Sequence, residues 1–322
     1  MKIVVLGAGA LGSIAVAHLA RAGQGVALIA RGPRAQLLAE RGVTVTGLSD
    51  FSVKLPIIER PQDLDACDAF MLTAKTYDTQ PALEGVRNLK ADMAFSVQNG
   101  VVKNDHLAAV FGWEHTLGCI ANFSGEVKED GSVLFSRNEG LYLGEFPSGS
   151  SQRTQELASI LDQAGIKTMA SDRIQSVEWS KYATWMGLTA VAVLTRLYTH
   201  TLYQDDDLDL LQTTLTREAV ELAAALDIDV IDLGGLIFPR TMSLAGTEEC
   251  VAVIKEAGAA MQAQGTVTHR MSALQDLLRG RQLEIEETYG YAVRKATELG
   301  VPMPALQTCY QLLAGINRNV AG

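Results

Sequence analysis

The chain has 322 residues, 48% hydrophobic and 20% charged, enough for two globular domains with full cores. Lys and Arg number 27 against 37 Asp and Glu, a formal charge of −10, which argues against a nucleic-acid partner because phosphate binding needs clustered cations. No run reaches about 18 uninterrupted apolar residues, the N-terminus carries no signal-peptide pattern, and the cysteines and histidines show no metal-ligand spacing. These readings predict a cytoplasmic protein with reduced thiols, no membrane contact and no metal.

The chain opens KIVVLGAGALG. Ile3 to Leu6 make a buried strand, Gly7-Ala8-Gly9-Ala10-Leu11-Gly12 follows, and Ser13 to Ala22 reads as an apolar helix. A bare G-x-G-x-x-G is weak, but between a strand and a helix it marks a dinucleotide site. Gly7 would permit the tight turn, Gly9 the approach of a pyrophosphate, and Gly12 close packing of helix on strand. The N–H groups at the helix start would face the phosphate charge.

Further strands are expected at 26–30, 43–45, 51–55, 68–73, 93–97 and 117–121, with helices at 34–40 and 77–89. Alternation of this kind predicts an α/β domain with a parallel sheet covered on both faces. From Gly125 to Leu143 the pattern alternates about a Glu129-Asp130-Gly131 turn and reads as an antiparallel edge. A helix at 152–164 stops at Gly165, and a last strand follows at 166–169. Beyond Asp172 only helical periods remain, at 174–198 with a break at Gly187, 208–226, 248–263, 272–278 and 284–299. The expected division is an N-terminal Rossmann domain over 1–171 and an all-helical substrate and catalytic domain over 172–322. Cofactor and substrate would meet in a cleft between them.

Arg31 follows the second strand, where an NAD-preferring fold carries an acid for the ribose hydroxyls. A guanidinium there, with Arg34 close behind, suits the 2′-phosphate of NADPH; the alternative is a solvated loop arginine. Lys75 and Asn99 lie at strand ends, where ligands sit in such sheets; a solvated lysine explains the first equally well, and an Asn-Gly turn is the better account of the second on position alone. Lys181, among Trp179, Tyr182, Ala183 and Trp185, is a proton donor if desolvated and a snorkelling side chain otherwise. Glu284 stands in a run with Glu286 and Glu287 that also suits a charged helix start.

In order and spacing these pieces resemble the ketopantoate reductase (2-dehydropantoate 2-reductase) family over nearly the whole chain. The matching segments are GAGALG, Arg31, Lys75, Gln98-Asn99-Gly100, Trp179-Ser180-Lys181, Ser272-Ala273-Leu274-Gln275-Asp276, Glu284-Ile285-Glu286 and Gly300-Val301-Pro302-Met303-Pro304. The resemblance implies NADPH-dependent reduction of a 2-oxo acid to a 2-hydroxy acid, a step of pantothenate biosynthesis in the named family. Lys181 would be the general acid. Asn99 would orient it and touch the nicotinamide ribose. Glu284 would bind substrate or hold the lysine, Ser272 would bind the substrate carboxylate, and Lys75 would contact cofactor or substrate.

Two positions depart from the family, which usually carries asparagines four and eight residues after the lysine. Here they are Trp185 and Thr189. The expectation is a reductase with intact reaction machinery and a different, flatter or more apolar 2-oxo acid, with a homodimer as the assembly to look for. The rival readings are an opine- or imine-type dehydrogenase and a non-catalytic NADPH sensor.

Overall fold

Strand β1 (Lys2–Leu6) is buried on both faces: Ile3 and Val5 enter one apolar cluster and Val4 and Leu6 another. It is the middle strand of a five-stranded sheet in the computed structural model, which describes residues 1–320 and divides into two compact units between Gln175 and Ser176. The sheet runs β5 (Ile57–Ile58), β2 (Gly25–Ile29), β1, β6 (Ala66–Leu72), β7 (Lys90–Ser96), with every pairing parallel. The order reverses at β1, the place where such sheets bind ligands at their C-terminal edge. Helix α1 (Ala10–Arg21) covers one face with Ile14, Ala15, Val16, Ala17 and Leu19 fully buried. α3 (Thr79–Glu84) and α4 (Lys103–Phe111) cover the other through Leu83, Leu107 and Phe111. Between β2 and the next strand lies α2 (Gly32–Arg41).

A second sheet stands on the far side of α1. Strand β8 (Leu117–Val127) pairs antiparallel with β9 (Val133–Glu145) along its whole length. On the other edge of β9, β3 (Val43–Gly47) pairs with residues 133–135 and β10 (Thr168–Ala170) with residues 141–143, both parallel. β4 (Phe51–Val53) completes the sheet beside β3. Residues 117–121 therefore do not extend the parallel sheet, as the alternating pattern suggests. They begin one long hairpin whose two strands bury Leu117, Cys119, Val133, Phe135, Leu141 and Leu143 in the cluster that α1 also fills. His18 of α1 is part of that core. Its Nδ1 lies 2.8 Å from Ala164 O, and burial pulls its pKa down, which favours the neutral ring. Helix α5 (Gln152–Gln163) starts at a capping box of Ser151 and Thr154.

The unit from Ser176 is helical. Its elements are α6 (Ile174–Thr195), α7 (Thr199–Leu202), α8 (Asp206–Ala225), α9 (Pro239–Leu244), α10 (Thr247–Ala263), α11 (Ser272–Leu278), α12 (Tyr291–Leu299) and α13 (Pro304–Val320). α6 runs unbroken through Gly187, against the expected break. A Cβ there would stand 2.6 Å from Thr216 Oγ1 and 2.8 Å from Gln212 O, so the glycine serves close approach of α8. Glu284 precedes the helix it was expected to open, because Glu286–Gly290 forms a wide π turn before α12. The expected helix at 77–89 shrinks to Thr79–Glu84, with Gly85 as its C-cap. Helices α4, α7, α9 and α13 have no counterpart in the sequence reading. α13 is fixed by buried Glu218 of α8, whose carboxylate accepts the Ala305 and Leu306 N–H groups at 3.0 and 2.7 Å. This supplies the helix N-terminus with partner and charge together. No described helix is long and apolar enough to cross a membrane, and no described cluster of His, Cys, Asp and Glu could hold a metal.

Asp209, on α8, is 1% exposed, and neither carboxylate oxygen has a hydrogen-bond partner among the described residues. Desolvation pushes its pKa up to about 7, opposed by Lys255 of α10 and reinforced by Asp206 and Asp205. A raised carboxylate pKa means that ionisation costs more in the folded chain than in the unfolded one. The penalty is absent below the unfolded value of about 3.9, grows as pH rises, and is complete above about 7. Asp209→Asn is therefore expected to stabilise the protein by roughly 1–3 kcal/mol at pH 8. Its advantage should shrink steadily toward pH 5. Chemical denaturation of both proteins across that range checks this, and an advantage that is flat or larger in acid would contradict it.

Candidate active site

The N-terminal unit builds a dinucleotide cradle from its glycines. Gly7 has φ +117°, open to glycine and costly to other residues. Its carbonyl accepts Thr73 Oγ1 at 2.7 Å, and the same hydroxyl reaches Leu6 O at 3.1 Å. A Cβ on Gly12 would fall 2.0 Å from Gly7 O and 2.4 Å from Thr73 Oγ1, so helix, turn and the end of β6 touch there. Gly9 differs, since a Cβ there would meet no atom within 4 Å. The protein's own packing does not require glycine at that position. The open space lies at the start of α1, which has no side-chain cap. A pyrophosphate fits both observations, with the first-turn N–H groups directed to its charge. Thr73 is a residue that sequence reasoning missed; its position at the tip of β6, opposite the first glycine, was the available signal.

The two arginines after β2 have separate fates. Arg31 is exposed and extended at the N-cap of α2. Arg34 turns back beneath the glycine loop. Its Nε donates to Ala8 O at 3.2 Å, Nη1 to Gly131 O at 2.7 Å and Nη2 to Ser13 Oγ at 3.4 Å. Partial burial draws its pKa down from that of a free guanidinium. Arg34 is thereby committed to the loop and to the β8–β9 turn.

Lys75 and Asn99 stand on neighbouring strand ends. Lys75 is half-buried in extended backbone, three residues beyond β6. Gln98 is buried and joins the two ends. Its Nε2 donates to Ala74 O at 2.8 Å and Thr79 Oγ1 at 2.7 Å, while its Oε1 accepts Ser96 Oγ at 2.9 Å. Asn99 is half-buried, and Gly100 has φ +79°. Lys103, which the sequence reading passed over, is 2% exposed and donates to Gln98 O at 3.2 Å and Gly100 O at 3.1 Å.

In the helical unit, residues 177–193 of α6 are all buried except Lys181, which is half-buried. Exposure falls away along its face: Trp185 retains 8% and Thr189 none. The Trp185 ring packs on Tyr289 with centroids 5.8 Å apart, and Thr189 Oγ1 has no hydrogen-bond partner among the described residues. The π-turn segment is stapled to this helix. Tyr182 Oη donates to Thr288 O and Tyr289 Oη to Met186 O, each at 2.7 Å. Thr288 Oγ1 in turn donates to Glu284 O. Glu284 is half-buried between Leu283 and Ile285, each 1% exposed. Glu286, by contrast, is exposed and engaged by Arg294 and Tyr310, so it is separated from Glu284 in role. Ser272 is exposed at the first position of α11.

Two family models cover most of the chain: "Ketopantoate reductase PanE/ApbA" over residues 3–148 and "Ketopantoate reductase PanE/ApbA C terminal" over residues 173–317. The 2-dehydropantoate 2-reductase of Archaeoglobus fulgidus is 27% identical over 316 residues, 98% of this chain and 97% of that one. A PanE/ApbA family ketopantoate reductase from Ralstonia eutropha superposes with a TM-score of 0.83 at 24% identity, over 100% of both chains. A D-mandelate dehydrogenase solved with NADH and anilino(oxo)acetate superposes at 0.85 with 21% identity, again over 100% of both. These two structures establish the fold. The chain belongs to the ketopantoate reductase family, oxidoreductases that act on CH–OH groups with a nicotinamide dinucleotide.

Proposed function

We propose that this protein reduces a 2-oxo acid to the 2-hydroxy acid with NADPH, and that its substrate carries a flatter or more apolar side chain than ketopantoate. The observation that carries the reading is Lys181, the one opening to an amine in an otherwise buried stretch of α6. When bound, the dinucleotide supplies the hydride. Lys181 Nζ stabilises the oxygen as negative charge develops on it, then donates the proton that makes the alcohol. Such a charge is worth several kcal/mol where water is excluded. Asn99 meets the nicotinamide ribose, Glu284 binds substrate or holds the lysine, Ser272 receives the substrate carboxylate, and Lys75 meets cofactor or substrate charge.

The substrate side chain is read from Trp185 and Thr189. Four residues along the lysine's face stands an indole where the family usually offers an amide. Behind it the Thr189 hydroxyl has no exposed surface. A site without hydrogen-bonding amides loses the strong discrimination that polar contacts give to a substrate hydroxyl. The likeness to a D-mandelate dehydrogenase solved with anilino(oxo)acetate, an aromatic ligand, points the same way.

Three outcomes are expected. Arg31→Ala should weaken NADPH roughly ten- to a hundredfold through loss of a charge-assisted bond and leave NADH nearly unchanged. Arg34→Ala should weaken both cofactors alike, because it releases the shared pyrophosphate loop. Fluorescence titration of the two cofactors separates these cases, and an equal loss for both in Arg31→Ala would refute the phosphate assignment.

Lys181→Ala should lower kcat by about two to four orders of magnitude, the usual range for a lost general acid. NADPH affinity should persist. Turnover within a few-fold of the parent would place the proton donor elsewhere.

Across a panel of aliphatic and aromatic 2-oxo acids, NADPH absorbance loss should give a higher kcat/KM for an apolar member than for ketopantoate. Trp185→Asn/Thr189→Asn should shift the ratio toward ketopantoate. A parent that already prefers ketopantoate, near 10⁴ M⁻¹s⁻¹ or above, would overturn the substrate reading alone.

A further inference from the structure

Lys103 is placed against every local preference of a lysine. It is 2% exposed, where lysines are almost never found unless their charge is met. It is also the first residue of α4, the end of a helix that disfavours a cation. Burying it further sacrifices the rotamer freedom of a long side chain. Two of its partners are close in sequence. Its Nζ donates to Gln98 O at 3.2 Å and to Gly100 O at 3.1 Å. The first carbonyl belongs to the peptide that leads into Asn99, and the second to the residue just after it. The chain leaves β7 at Ser96 and turns through Gly100 at φ +79°, where strand pairing no longer orients its carbonyls. Across the same turn, the Gln98 side chain is tied to Ala74 O and Thr79 Oγ1. The backbone that carries Asn99 is thus gripped from both flanks.

We infer that Lys103 is a positioning residue: its buried ammonium grips the Gln98 and Gly100 carbonyls and so sets the direction in which Asn99 presents its amide to the cofactor. The inference rests on the role proposed for Asn99. Groups held by packed, hydrogen-bonded neighbours avoid the loss that comes with a small misplacement. Lys103 touches neither cofactor nor substrate in this account and acts through Asn99.

A residue that acts through another must couple to it, and a double-mutant cycle measures the coupling. Lys103→Met, Asn99→Ala and the double variant are compared with the parent for NADPH dissociation constant by fluorescence, for kcat and KM, and for melting temperature. Each single variant is expected to raise the NADPH Kd about tenfold. The double variant should stay within about twofold of Asn99→Ala. Lys103→Gln, which keeps one donor, should fall between the parent and Lys103→Met, and it carries the same cycle if the methionine variant does not fold. Losses that multiply in the double variant would show that Lys103 serves stability alone and would overturn the inference. So would a Lys103→Met enzyme with parental Kd beside an impaired Asn99→Ala, an outcome that leaves the role of Asn99 standing. If Asn99→Ala itself keeps parental affinity and turnover, the role of Asn99 is refuted and that of Lys103 with it.

Discussion

The site depends on one close approach, that of Gly7 and Gly12 to Thr73. No side-chain atom fits between the first turn of α1 and the end of β6, and the Thr73 hydroxyl holds two successive carbonyls at the tip of β1. α1 therefore begins directly off the strand, with its uncapped N–H groups at the C-terminal edge of the sheet. Because every pairing in that sheet is parallel, β2, β6 and β7 end on the same edge. Arg31, Lys75 and Asn99, from three separate parts of the sequence, are all delivered there. An antiparallel sheet, with neighbouring strands ending on opposite edges, would have scattered them.

The helical unit solves a different problem, how to bury a helix rich in hydroxyls. Along α6 the side chains of Ser180, Thr184 and Thr195 donate to the carbonyl four residues back, so their polarity is met inside the helix. Ser180 also accepts the Ile231 N–H at 2.7 Å, anchoring the loop after α8. Lys181 is where the buried face opens. The π turn across from it widens the backbone by one residue per turn, a distortion common at functional sites. Tyr289, at its end, reaches the Met186 carbonyl and packs on Trp185.

Much of this was legible in the sequence, because the relevant signals are local. The glycine spacing, the apolar strand before it and the helical periods after Asp172 each depend on a few adjacent residues, and the architecture followed from them. The hairpin of β8 and β9 was only half visible: Leu117 to Ala121 is apolar enough to read as an interior parallel strand, and its antiparallel partner lies some twenty residues on. The separation of Glu284 from Glu286 could not be read at all, since it is set by Arg294 and Tyr310 and by a π turn with no sequence signature. Lys103 was missed because lysine is read as surface, and only the fold reveals a pair of carbonyls waiting for it.

The divergence of the two arginines bears on how the protein could change over evolutionary time. Arg34 is bonded to a glycine-loop carbonyl and to a hairpin carbonyl 97 residues away, so a substitution there would disturb the loop that any dinucleotide shares. Arg31 is exposed, and its guanidinium is not woven into that network. With the role proposed for Arg31, a lineage drifting between the two forms of nicotinamide cofactor would find a short path at position 31 and a closed one at position 34. The basic pair that looks redundant in the sequence is one residue open to selection beside one that the architecture has fixed.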